Sequence, residues 1–420
     1  MSDIRVLTID DFDAAARIFG DAYPGIKIIS EDDRQRFKQS ALKLHEEHPE
    51  TRFHGLFRDD QLLGIMCLYD FSMNFLQVRI PAGGVGQVAV ALSHNKEHVA
   101  KEMMLYFLRH YRQQRVPLVA LYPFRPDFYR QMGFGYGTKM NQYRVRPSAL
   151  PKGPSKSSVR YLTEGDKQAL ANCYHRVADR THGMIRKTRR ELDRLFKNPQ
   201  RRIVGYEHDS EIRGYLVFTW EHGDSFITND IRIQEFIYET RDALSQLLTF
   251  LNTQADQVRH IYIATQDEEF HHMLLDPRNN SDRLIPDVYH ETNTQGVGLM
   301  YRVVDVPGML DLLAQRDPGT NSVLDRTVTL RLTITDSFLP ENDGSTLLCF
   351  EGARAQRRKR GDADAEISMA IEDFSSLLAG TVTFRSLYRY GLAAISNEAH
   401  VQVVNHIFAV EQKPVCMTSF

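Results

Sequence analysis

The chain has 420 residues, and its 52 lysines and arginines nearly cancel 54 aspartates and glutamates, for a formal net charge of −2. That balance argues against a protein whose main task is to grip the phosphate backbone of nucleic acid, and the length asks for two to four domains. No apolar run approaches the ~18 residues of a membrane span and Met1-Ser-Asp-Ile-Arg lacks the apolar region of a signal peptide, so a cytoplasmic protein with no membrane partner is expected.

The first elements read as strand then helix. Ile4 to Leu7 alternates, Asp10 and Asp11 can cap a helix, and Phe12 to Phe19 has helical spacing of apolar residues. Phe53 to Phe57 and Leu62 to Tyr69 flank Arg58-Asp59-Asp60 and predict a hairpin. Val85 to Leu92 is near-continuously apolar, as a central strand requires. Val99, Met103, Phe107 and Tyr111 then form one helical stripe, with Met104 and Leu108 beside it. Pro117 ends that helix, Val119 to Tyr122 is a second buried strand, and residues 127–132 predict a short helix closed by Gly133.

Pro147, Pro151 and Pro154, set among Ser, Lys and Gly, make 147–158 the clearest linker of the first half. The pattern then returns at low similarity: Glu211 to Phe218 and Ile231 to Tyr238 as strands, a helical stripe of Ala243, Leu244, Leu247, Leu248 and Leu251, and a strand from His260 to Ala264. Asp305-Val306-Pro307 marks a further boundary. Beyond it Val328, Leu330, Leu332 and Ile334 alternate, as do Ile367, Met369 and Ile371, which predicts an α+β unit on an antiparallel sheet. The expected domains are 1–147, 148–304 and 305–420.

Four cysteines, Cys67, Cys173, Cys349 and Cys416, show no Cys-x-x-Cys spacing and read as reduced, buried thiols. His271-His272 after Glu268-Glu269 offers metal-ligand types, but adjacent residues diverge on a helix, so a solvated face is the better reading and no metal is expected. Arg357-Arg358-Lys359-Arg360-Gly361 reads as a solvated hairpin tip.

Two features carry chemistry. The final run Pro414-Val415-Cys416-Met417-Thr418-Ser419-Phe420 is apolar where chain ends are ordinarily loose, so it should dock and bring the Phe420 α-carboxylate with it. Upstream, Phe128-Tyr129-Arg130-Gln131-Met132-Gly133-Phe134, following Leu121-Tyr122-Pro123-Phe124, resembles the last signature of the GCN5-related N-acetyltransferase (GNAT) fold. With two copies of that pattern in tandem, a different third domain and a terminal phenylalanine, the whole chain resembles the enhanced-intracellular-survival (Eis) family of acetyltransferases. The fold class so implied is mixed α/β, α+β overall: tandem GNAT domains followed by a domain similar to sterol carrier proteins.

The resemblance implies an enzyme moving an acetyl group from acetyl-CoA, as co-substrate, to a primary amine of polyamine, aminoglycoside or protein-lysine type. Tyr129 falls on the family's general acid and Phe420 on the residue whose α-carboxylate is the general base. The pairing is chemically sound, because a carboxylate of pKa near ~3.5 is ionised at neutral pH and a phenol of pKa ~10 keeps its proton. Val88, Ala89 and Val90 match the strand that lines up with the pantetheine arm, and Tyr122 and Pro123 lie where the next strand splays to admit it. Asn95, Lys96, Glu97, His98, Val99 and Ala100 match the pyrophosphate loop, but only Ala100 keeps its pattern. His98 replaces a glycine and Glu97 brings negative charge, with Lys96 and Lys101 as partial compensation. That departure opens an alternative: a catalytically altered homologue that binds a small molecule. Asp21 and Tyr23, in the first inter-element loop, are candidates for the amine side. The family also implies a homo-oligomer, a hexamer.

Overall fold

The computed structural model describes residues 2–94, 96–223, 225, 228–314, 327–351 and 354–420. Its first elements are β1 (Asp3–Val6), α1 (Phe12–Ala22), α2 (Glu31–Glu47), β2 (Thr51–Arg58), β3 (Gln61–Phe75), β4 (Val78–Val90), α3 (Val99–Gln113), β5 (Leu118–Leu121), α4 (Pro126–Arg130) and β6 (Gly135–Tyr136). The hairpin joins β2 to β3 through Asp59 and Asp60, both at positive φ (49° and 59°), the pair of left-handed residues that a tight turn between twisted strands requires. Helix α3 buries the whole expected stripe, Val99, Met103, Met104, Phe107, Leu108 and Tyr111. Strand β4 begins at Val78, seven residues before its apolar run, because Pro81, Gly83 and Gly84 hide its first half. Gly83 is needed there: a Cβ would stand 2.7 Å from the ring of Tyr111.

A second series comprises β7 (Met140–Val145), β8 (Val159–Tyr161), α5 (Lys167–Ala178), α6 (Arg189–Lys197), β9 (Arg201–His208), β10 (Glu211–His222), β11 (Asn229–Tyr238), α7 (Arg241–Asn252), β12 (Val258–Thr265), β13 (Leu284–Ile285), β14 (Tyr289–His290), β15 (Asn293–Gly296) and β16 (Met300–Val303). The two large sheets run β1-β2-β3-β4-β5-β16-β6 and β15-β7-β12-β11-β10-β9-β8. Strands β8 to β12 therefore repeat the order of β1 to β5, and each sheet has one parallel pair, β4 with β5 and β11 with β12. The weak sequence repeat is a repeat of topology.

The last series is α8 (Val306–Leu313), β17 (Thr327–Thr335), β18 (Gly344–Glu351), β19 (Arg354–Arg358), β20 (Ala365–Ala370), α9 (Ile371–Leu378), α10 (Phe384–Arg389), β21 (Ala393–Ile395) and α11 (Val401–Ile407). Its sheet has the order β19-β18-β17-β20-β21. The antiparallel expectation is corrected here, since β17 pairs parallel with β20. Alternation of apolar residues reports one buried face and is blind to the direction of the neighbouring strand.

The chain forms two compact units: Met1–Gly137 with Leu299–Pro414 and Ser419–Phe420, and Thr138–Gly298 with Val415–Thr418. Within the first unit, Arg302 on β16 and Asp336 after β17 make a fully buried ion pair at 2.8 Å. Asp336 also accepts from the Phe338 and Leu339 amides, so its charge is hydrogen-bonded on several sides, which a buried carboxylate requires. The guanidinium lies where Gly133 would carry a Cβ, and Gly133 stands at φ +81°, so both space and backbone demand glycine directly after the Phe-Tyr phrase.

Candidate active site

Strands β4 and β5 pair over only three residues, Ala82 to Gly84 with Leu118 to Ala120. Strand β5 stops at Leu121 while β4 continues to Val90, so the parallel pair opens into a cleft bordered by a backbone edge. The other edge of β4 is disturbed too. Ile65 faces Ala89 and Cys67 faces Gly86, so Gln87 and Val88 together oppose one residue of β3, and Gln87 takes a left-handed φ of 53°. Such a bulge bends and twists its strand and re-aims the groups on it. Val88, Ala89 and Val90 lie on this edge, and Tyr122 and Pro123 follow the end of β5. The structure thus brings the expected pantetheine residues to one opening.

Tyr23 caps the end of α1, and its hydroxyl donates to the Val88 carbonyl at 2.8 Å. It is tied to β4 and is not a free lid. Asp21 was expected in the loop; it lies in the last turn of α1 and is exposed, because the helix runs on to Ala22.

Past β4, a 3₁₀ turn over Leu92–His94 leads towards α3. Asn95 lies outside the described residues. Lys96 and His98 both adopt positive φ (72° and 62°), and His98 is the N-cap of α3 with no side-chain cap. The glycine of the family pattern therefore matches a backbone requirement that persists here. Histidine is among the residues that tolerate the left-handed region better than most. The Glu97 charge is compensated: its carboxylate lies 2.9 Å from His94 and 3.5 Å from Arg58, which also pairs with Glu102 at 2.7 Å. Val99 is buried, Ala100 half-buried, and the amides that open α3 have no side-chain cap, so the turn suits a phosphate. Helix α7, at the matching place in the second series, is capped instead by the Thr240 hydroxyl, and its Asp242 bonds Tyr206.

The left-handed His98 supports a direct expectation. His98→Gly should relieve a strain of about 1 kcal/mol, partly offset by glycine's freedom in the unfolded chain. The melting temperature should rise slightly or stay level, and the KM for acetyl-CoA should fall. Steady-state kinetics beside a thermal melt checks both.

Tyr129 lies in α4, which starts on Pro126 at its first turn and is followed by the left-handed Gly133. The side chain is 8% exposed and packs edge-on against Phe128 and Phe134. Its hydroxyl has no hydrogen-bond partner among the described residues. Burial, with a smaller contribution from the Tyr23 phenol, pushes its pKa up to about 12.

The apolar tail is docked. In the second unit the Val415 amide donates to the His182 carbonyl at 2.8 Å, the Cys416 amide donates to Gln266, and Cys416 and Thr418 are buried. In the first unit the Phe420 ring is enclosed by Phe71 (4.8 Å), Tyr122 (5.3 Å) and Tyr69 (5.5 Å). Its main-chain carbon and oxygen lie 3.2 and 3.3 Å from the point a Cβ on Gly86 would occupy, directly beside the bulge of β4. A Cβ on Gly84 would meet Phe71 at 2.4 Å and the Phe420 ring at 3.0 Å. Sequence reasoning missed this use of Gly84 and Gly86, along with Gln87 and Arg58. The density of glycine in Gly83-Gly84-Val85-Gly86 was the available signal.

Residues 3–137 match the family model of an acetyltransferase (GNAT) domain, 174–303 a second acetyltransferase (GNAT) domain and 312–417 a sterol carrier protein domain. A relative from Streptomyces avermitilis, named as an uncharacterized N-acetyltransferase, is 25% identical over 412 residues, covering 92% of this chain and 91% of its own. Among solved structures, a GCN5-related N-acetyltransferase from Anabaena variabilis superposes with a TM-score of 0.81 at 17% identity, and Eis1 from Mycobacterium abscessus with 0.75 at 20%, each over 100% of both chains. GNAT domains imply acetyl-CoA as co-substrate. No helix among the described residues is long and apolar enough to cross a membrane. The chain is an acyltransferase, built on two GCN5-related N-acetyltransferase domains followed by a sterol carrier protein-like domain.

Proposed function

We propose that the first GNAT domain transfers acetyl from acetyl-CoA to a primary amine, of polyamine, aminoglycoside or protein-lysine type, in a complex that holds both substrates. The observation that carries this reading is the main-chain end of Phe420 lying against Gly86, at the bulge beside the β4–β5 opening. There its α-carboxylate serves as general base, taking a proton from the amine directly or through water. The free amine attacks the thioester carbonyl, the carbon–sulfur bond breaks, and Tyr129 gives its proton to the departing thiolate. A phenol held near 12 keeps its proton throughout the neutral range, so the proton is in place when the thiolate departs. Val88, Ala89 and Val90, with Tyr122 and Pro123, receive the pantetheine arm. Lys96 to Ala100 receive the pyrophosphate, Asp21 and Tyr23 flank the amine side, and the second GNAT domain is structural.

The rival reading, binding without turnover, rested on Glu97 and His98. The pairing of Glu97 with Arg58 and His94 removes much of its motive. Calorimetric titration with acetyl-CoA separates the two: micromolar binding supports the enzyme, and no binding up to millimolar concentration overturns it.

A further inference from the structure

The second unit contains a cationic cleft that acetyl transfer does not use. Its volume is ≈ 420 Å³, and Arg144, Arg146, Arg259, His260 and Asn280 are among its walls. The sequence folds this way because β7 and β12 pair antiparallel, Val145 opposite Ile261, which sets Arg144 near the end of β7, and Arg146 just past it, beside Arg259 and His260 at the start of β12. The cleft lies at the amino end of β12. The parallel pair β11–β12 would admit a ligand at the carboxyl ends of its strands, so the cleft is not a relic of a donor site.

The charges are unbalanced. None of the three arginines has a carboxylate within 4 Å among the described residues. One Nη of Arg144 lies 3.3 and 3.4 Å from the two ring nitrogens of His260, and Arg259 Nε lies 3.3 Å from Nδ1. Arg144 Nε is shielded from solvent and has no acceptor among the described residues. His260 is 4% exposed, and Asp230 lies against it, its Oδ1 accepting the His260 amide at 3.0 Å and standing 3.4 Å from the ring. Three guanidinium charges thus gather around the His260–Asp230 pair with no carboxylate within 4 Å of any of them among the described residues. The imidazole responds: burial first, then Arg144, lower its pKa, against the opposing pull of Asp230. Like charges gathered in a partly buried cleft repel one another, and an oxyanion would satisfy them and the orphaned Nε together.

We propose that this cleft binds a phosphorylated small molecule, with its phosphate held between Arg144, Arg146 and Arg259. Planar guanidiniums match the oxygen spacing of phosphate, and the volume falls within the ~300–1,000 Å³ of small-molecule pockets, enough for a phosphate and a modest organic group. The inference is independent of the acetyl-transfer mechanism.

Inorganic pyrophosphate is the probe, titrated calorimetrically into the full chain without coenzyme A, and the two variants below separate binding in this cleft from binding at the donor site. Binding below millimolar concentration is expected, and Arg144→Met should weaken it about tenfold or more. Arg259→Gln, at an exposed position that folding tolerates, should do the same. No binding up to millimolar concentration, or unchanged affinity in both variants, overturns the proposal.

Discussion

Tyr129→Phe should lower kcat for acetyl transfer by about 10²–10³-fold, the range for loss of a positioned general acid, and leave the melting temperature nearly unchanged. The two readouts separate because the hydroxyl bonds to nothing among the described residues, so removing it orphans no partner there, while the ring contacts with Phe128 and Phe134 survive in phenylalanine. The KM for acetyl-CoA should hold, since the lost interaction forms only as the thiolate departs. The pH profile adds a sign. With the phenol near 12, its acid form persists as pH rises through 8 and 9, so the wild type should show no alkaline loss of kcat from Tyr129 in that range. Thiol-release kinetics and a thermal melt on the two proteins check the prediction. A variant with wild-type kcat would reduce Tyr129 to corner packing.

Appending residues after Phe420 should have an effect at least as large, a fall in kcat of about 10²–10⁴-fold. The extension converts the α-carboxylate into a neutral amide at the spot beside Gly86 where the main chain already sits near van der Waals contact. The aromatic enclosure by Tyr69, Phe71 and Tyr122 can persist, and so can the anchoring of Val415 and Cys416. Only a small drop in melting temperature is therefore expected. Deleting Phe420 is the harsher companion, because it also withdraws a half-buried ring from that cluster and should cost about 1–2 kcal/mol of stability. If the extended chain turns over at the wild-type rate, the base lies elsewhere.

Much of the site was legible because its elements are locally specified. The stripe of α3 and the Asp59-Asp60 turn are patterns over neighbouring residues, and so is the Gly133 stop after Tyr129. Helix α2 was not seen, since of its 17 residues only Ala41 and Leu44 are buried. Its one signal was the capping box of Ser30 with Asp33. The sheet assignments of β7 and β16 were out of reach for another reason: an apolar strand does not state which sheet will accept it. Arg58 read as part of a turn, and its hold on Glu97 and Glu102 joins residues about 40 positions apart. Gln87 is a polar residue inside an apolar strand, and only Gly86 beside it hints at a bulge. The phosphate loop is the instructive case. His98 looked like damage to a glycine position, while the fold keeps the left-handed backbone and tolerates the side chain as an exposed cap.

The central claim, acetyl transfer to a primary amine at the β4–β5 opening, is tested most directly by following coenzyme A thiol release from acetyl-CoA with and without spermidine, an aminoglycoside or a lysine peptide. The account predicts release that depends on one of these amines and matches acetylated product mole for mole. Tight binding of acetyl-CoA with no amine-dependent release across all three classes would contradict it.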